Sequence, residues 1–303
     1  MIKRLLILLI LGMYSVLMSQ DYSIINVDKW VKIGYNNNFP EGPSYDGEKY
    51  IFISNCYGRW ISKFTKDDIS GKDSISLSAA DNVLIDFRAD TAIVNRTNGL
   101  VNVNGELYAC EYGNGSLVKI NSSGKPEVVS KGYEGIRFNR PNDLCFDGEK
   151  SIYFTDPKSY NKEVLDGRIF RFNIETKQTE LVCSNLAFPN GIKLSNDKEY
   201  LYVCESAKQV VTKIKVDKDG YLAERTTFVE LPGGDPDGIE FDEENNLYVA
   251  HYGGKAIYKI SSDGKIVTKY ITPGKKPSNI ELIDGYLLIT ECETNSIYTM
   301  KIE

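Results

Sequence analysis

The sequence predicts an all-β protein folded as a six-bladed β-propeller, with four-stranded antiparallel blades around a central metal-binding tunnel. Three observations lead there. One strand–turn–strand pattern recurs six times, a polar residue opens each recurrence, and no recurrence carries a sustained 3.6-residue apolar period.

The elements follow in chain order. Residues 1–20 begin with Lys3 and Arg4, continue as an apolar run from Leu5 to Leu17, and end at Ser19 and Gln20 before the polar Asp21. That is the layout of an export signal, and the run is short for a membrane span. The expectation is a mature chain of residues 21–303, a single propeller domain in the periplasm or outside the cell, with no stable membrane insertion after cleavage. The segment from Tyr22 to Ile33 is expected to add a strand to the last blade, which removes an exposed sheet edge.

The second strand of each unit is the easiest to see. It lies in DGEKYIFISN (Asp46 to Asn55), NGELYACE (Asn104 to Glu111), DGEKSIYFTD (Asp147 to Asp156), NDKEYLYVCE (Asn196 to Glu205), DEENNLYVAH (Asp242 to His251) and DGYLLITE (Asp284 to Glu291). The Asp, Asn and Gly clusters supply the positive φ angles of tight hairpins, and the Tyr, Ile, Val and Leu runs suit pleated strands. A third strand follows each time: GRWISKF, GSLVKI, GRIFRF, QVVTKIKV, KAIYKI and NSIYTM.

Each unit opens on a polar anchor: Glu41, Asn98, Asn142, Asn190, Asp237 and Asn279. Successive anchors stand 57, 44, 48, 47 and 42 residues apart, a spacing typical of propeller blades. Two stacked sandwiches would account for the strands but not for the anchors. A residue at the start of every innermost strand forms a ring about the tunnel axis. Any one Asn-Gly or Asp-Gly pair is ordinary turn chemistry. The hairpins already use their own such pairs, however, and the anchors sit at a different phase of the repeat. Two carboxylates and several amide oxygens suit a hard cation, Ca²⁺ before Zn²⁺, with Mg²⁺, Mn²⁺ or Zn²⁺ as alternatives set by availability.

Composition excludes other classes. Net charge is -6 and no Lys/Arg run is long enough for a nucleic-acid footprint. The six cysteines show no metal-ligand spacing, and most fall in apolar strands, where a free thiol packs as a small hydrophobe. There is no GxSxG, and the single histidine, His251, falls in a strand. Oligomeric state has no readable signature.

The segments FPEGPSYD, RPNDLCFDGEKSIYFTDP, FPNGIKLSNDKEYLYVCES and DPDGIEFDEENNLYVAHYGG resemble the SMP-30/gluconolactonase family across nearly the whole mature chain. The resemblance implies a calcium-dependent hydrolase that opens the ester of a sugar lactone. It also implies Glu41, Asn142, Asn190 and Asp237 as metal ligands and Arg140 as a substrate contact. Asp237 is then the expected catalytic base or nucleophile. Asn98 joins the substrate side of the ring. Asp156 and Glu205, at the ends of second strands, are expected to reach sugar hydroxyls. Substrate choice is placed in residues 69–94 and 132–139. The alternatives are a non-catalytic ligand-binding propeller, against which the charged ring weighs, and a hydrolase of aryl esters or organophosphates, which would keep the metal.

Overall fold

The computed structural model describes residues 22–69, 77–89 and 92–302, so the expected export signal lies outside the described residues. Six sheets follow one another along the chain. Their innermost strands are Pro40–Tyr45, Thr97–Val103, Leu144–Phe146, Pro189–Leu194, Asp235–Phe241 and Pro277–Ile283. Each packs against the next, and the sixth packs against the first, so the ring closes. Every predicted second and third strand is present and pairs antiparallel with its neighbour.

Closure involves more of the N-terminal segment than one strand. Val31–Tyr35 pairs antiparallel with Ser296–Lys301 and so supplies the fourth strand of blade 6, as expected. Ser23–Ile25 additionally pairs in parallel with Ile266–Ile271 of blade 5. A further short strand, Leu77–Ser78, runs parallel to Val31–Tyr35. Within the expected substrate segment 69–94, Leu77–Ser78 and Val83–Asp86 are blade-edge strands, while residues 70–76 and 90–91 lie outside the described residues.

The core lies between blades. Leu117 and Tyr108 of blade 2 pack with Phe154 and Phe170 of blade 3, for example, and Val211 of blade 4 packs with Val249 and Tyr258 of blade 5. Alternation along each strand sends one set of side chains to each neighbouring blade. The six cysteines are unpaired, and all but Cys183 are buried.

Two features bring the inner strands together at their starts. First, the ladder is bulged at the anchor in blades 1, 2, 4, 5 and 6, for example between Glu41 and Ser44 and between Pro236 and Ile239. A bulge bends the strand and re-aims the side chain it carries. Second, the glycine after four anchors sits against the next blade. A Cβ on Gly42 or Gly191 would strike the carbonyl of Asn98 or Asp237, and one on Gly99 or Gly238 would strike the side chain of Asp143 or Asn279. These glycines serve close packing of neighbouring blades, beyond the turn chemistry their dipeptides suggest.

Candidate metal centre

Above the start of the inner strands lies a cavity of about 160 Å³. It is small beside the roughly 300–1,000 Å³ of sites for drug-sized ligands, which suits an ion and one small ring. Glu41, Asn98, Asn142, Asn190 and Asp237 all line it. All five are nine-tenths or more buried. The five anchors expected to act thus meet at one place. The sixth, Asn279, does not line the cavity. Its Nδ2 donates to Asp143 Oδ2 at 3.4 Å, joining blade 6 to blade 3 among the inner strands.

The buried charge is unbalanced. Burial, then repulsion from Asp143, pushes the Glu41 carboxyl up to about 8. Burial and the charges of Glu41, Asp143 and Asp235 drive Asp237 far above the carboxylate range, against a hydrogen bond from Asn190. Burial raises Asp143 to about 6, although Leu144 N–H and Asn279 donate to it. Among the described residues, none of the three carboxylates forms an ion pair with Lys or Arg.

A divalent cation fits this arrangement. Two carboxylates and three amides converge as oxygen donors, and a bound cation would offset the burial and the repulsion that hold protons on Glu41 and Asp237. Among the described residues, no cluster of three His, Cys, Asp or Glu side chains forms a metal site by itself. Amide oxygens are therefore indispensable to any coordination here. Cys56 also lines the cavity, a thiol that the sequence pattern does not place in the ring.

The second-strand ends do something other than expected. Asp156 is fully buried and does not line the cavity. Its Oδ1 accepts from the backbone N–H of Asn139 and of Arg140, each at 2.8 Å, and its Oδ2 pairs with Arg168 at 2.7 Å. Glu205 likewise accepts from Ala187 N–H at 2.8 Å, from the Thr212 hydroxyl at 2.7 Å and from Lys208 at 3.1 Å. The expectation that these two bind substrate is corrected, because their oxygens are already committed.

The same staple recurs. Asn38, Asn95 and Lys276 donate their backbone N–H groups to Asn55, Glu111 and Glu291 at 2.9, 3.0 and 2.7 Å. In five blades the donor stands three residues before the anchor, so the staple fixes the approach to the ring. Blade 5 departs from this. His251 Nε2 lies 2.9 Å from Leu231 O, and the ring is buried outside the cavity lining.

In four blades the side chain that faces the cavity is the next residue along. Cys56, Tyr112 and Ser206 each follow a staple residue and Tyr252 follows His251, and all four line the cavity. One residue of shift along a strand exchanges the two faces. Phe39, Tyr57, Tyr160 and Phe188 complete an aromatic wall, and Tyr160 donates to Asp235 Oδ1 at 2.7 Å. Arg140 is exposed and stands beside this wall, its guanidinium carbon 5.8 Å from the Tyr112 ring centroid. Residues 132–139 do not line the cavity, and Tyr160 belongs to a different loop.

Comparison with known proteins adds the lineage. The family model described as SMP-30/Gluconolactonase/LRE-like region matches residues 39–290. The chain belongs to this family. A protein named gluconolactonase from Zymomonas mobilis is 31% identical over 204 residues, covering 60% of this chain and 56% of the relative. The chain thus matches little more than half of that relative's length. Two solved structures share the fold. A gluconolactonase from Xanthomonas campestris superposes with a TM-score of 0.76 at 23% identity, covering 90% of this chain and 89% of that one. A calcium-binding protein, regucalcin, from Agrobacterium tumefaciens superposes with a TM-score of 0.74 at 16% identity, covering 93% and 96%. This member of the SMP-30/gluconolactonase family thus carries an acidic and amide ring beneath an aromatic mouth.

Proposed function

We propose that the protein is a calcium-dependent lactonase, hydrolysing the ester of a small lactone at the cavity above the anchor ring. The observation that carries this reading is the convergence of Glu41, Asn142, Asn190 and Asp237 on one small cavity. The names of relatives in the family support the reaction class.

Glu41, Asn142, Asn190 and Asp237 would hold the cation, which when bound supplies Lewis acidity toward the lactone carbonyl oxygen. Asn98 faces the same cavity and is placed to accept from or donate to a substrate hydroxyl or carbonyl. Asp237 would receive the proton of the attacking water, and Asn190, which donates to it, orients its carboxylate. The aromatic wall keeps bulk water from the reacting ester. Glu111, Asp156, Glu205 and Glu291 hold the backbone that leads into the ring, so the donors need not reorganise during reaction. We also read residues 1–20 as an export signal, which N-terminal sequencing of the mature protein would check.

The test is titration of acid release from D-glucono-1,5-lactone, with and without a calcium chelator. Release that stops on chelation and returns with calcium supports the reading. If no lactone is opened with calcium bound, the protein is a binding propeller.

A further inference from the structure

The mouth of the cavity carries positive charge that the reaction itself does not need. Of the four tyrosines that line it, Tyr160 is tied to Asp235. Each of the other three carries a cation over its ring: Arg96 at 5.3 Å from Tyr57, Arg140 at 5.8 Å from Tyr112, and Lys276 at 5.5 Å from Tyr252. This gathering occurs in a chain with more acids than bases, 42 against 36. It is therefore local rather than a reflection of composition.

The two arginines are equivalent in position. Arg96 stands two residues before the anchor Asn98, and Arg140 two before Asn142, on neighbouring blades. Both are held by the same device. Arg96 N–H donates to Glu111 Oε1 at 3.1 Å and Arg140 N–H to Asp156 Oδ1 at 2.8 Å. The backbone of each is thus clamped while its guanidinium lies against a cavity-lining ring. Among the described residues neither guanidinium forms an ion pair, whereas those of Arg88, Arg168 and Arg171 do. Arg96 Nε is in addition buried with no hydrogen-bond partner. A buried, unpaired guanidinium N–H is costly unless a ligand completes it.

We propose that this mouth selects a lactone bearing a free carboxylate besides the ester to be opened, and that Arg96 and Arg140 receive that carboxylate. The inference rests on the lactonase reading and refines its substrate class. Planar guanidinium forks match a carboxylate in geometry and charge. Arg96 is then a specificity residue that the family motifs around Arg140 do not include.

The test compares D-glucaro-1,4-lactone with D-glucono-1,4-lactone, which differ at one end by a carboxylate in place of a hydroxymethyl group. With calcium bound, kcat/KM for the glucarolactone is expected to exceed that for the gluconolactone by about tenfold or more. The difference should lie in KM and shrink as salt rises. Arg96→Ala should bring the ratio toward one, and Arg96→Lys should restore part of it. Equal turnover of both lactones, with a ratio indifferent to Arg96→Ala, would overturn the inference while leaving the lactonase reading intact. Should neither lactone be opened, that reading fails, and calorimetry still decides this one. Glucarate must bind the calcium-loaded protein about tenfold more tightly than gluconate, with the preference lost in Arg96→Ala. Equal binding of the two acids contradicts it.

Discussion

Two stretches of the same inner strands treat buried charge in opposite ways. At the anchors, Glu41, Asp143 and Asp237 lie together without an ion pair among the described residues; burial raises all three, repulsion adds to it at Glu41 and Asp237, and Lys193 works against it at Asp143. Three residues farther along, Lys193 follows Asn190 and Glu240 follows Asp237. There the Lys193 ammonium meets Glu240 Oε2 at 2.5 Å. Burial pulls the Lys193 ammonium down, but the attraction of Glu240 and Glu281 outweighs it and raises the pKa. Glu281, the remaining carboxyl, is pushed up to about 8 by burial and by Glu240, with Lys193 working against both. The lower cluster holds a cation of its own, Lys193, paired with Glu240, and leaves Glu281 as a second carboxyl beside them. The upper one has no such ion pair among the described residues, and it is there that we propose an external cation.

The comparison breaks most sharply at Asp237. Asp237→Asn keeps the shape of the ring but removes a ligand and the proton acceptor. Lactone turnover is expected to fall at least about a thousandfold, with the fold retained by circular dichroism. Turnover within a few-fold of wild type would remove Asp237 from the chemistry.

Lys193→Met tests the lower cluster. Leaving Glu240 without its partner should cost roughly 1–3 kcal/mol in chemical denaturation, the modest range reflecting a lysine still about a third exposed. The double change with Glu240→Gln should recover part of this, whereas calcium should stabilise wild type and variant alike and leave the difference unchanged.

The pH dependence distinguishes the two ends as well. In metal-free protein Glu41 keeps its proton to about 8, while in the unfolded chain it releases it near the ordinary 4.5. Between those values the folded state binds the extra proton, so stability falls as pH rises through that window. With chelator present, Tm is expected to drop on the order of 5 °C between about pH 5 and about pH 8. Saturating calcium should flatten that slope. A slope that calcium leaves unchanged would place its origin elsewhere, Glu281 being the first alternative.

The smallest effect concerns the staples. Asp156→Asn should lower stability by about 1–2 kcal/mol through weaker bonds to Asn139, Arg140 and Arg168, with only a modest rise in KM. A large KM effect at unchanged stability would return Asp156 to the substrate.

The blades and the anchor ring were legible in the sequence because both repeat. Six strand pairs with turn residues at fixed offsets define the blades, and Glu41, Asn98, Asn142, Asn190 and Asp237 stand at one phase of them. The roles of Asp156 and Glu205 were not legible, since a strand end presents two faces and adjacent residues differ in facing by half a turn. The cavity received Cys56, Tyr112, Ser206 and Tyr252, each the next residue along. Contacts that join distant blades had no local signature either. Asp143 with Asn279 and Tyr160 with Asp235 depend on the closed ring, which brings together residues 136 and 75 positions apart. The glycines after the anchors read as turn residues, although their decisive property is the missing Cβ where neighbouring strands nearly touch.

Calorimetric titration of calcium into metal-free protein, repeated in two buffers of different ionisation enthalpy, measures cation and proton together. One calcium per chain is expected, with net proton release near neutral pH, abolished by Asp237→Asn or Glu41→Gln and retained in Lys193→Met. Absence of calcium binding, or binding indifferent to Asp237 and Glu41, would contradict a tunnel that depends on an external ion at its anchors.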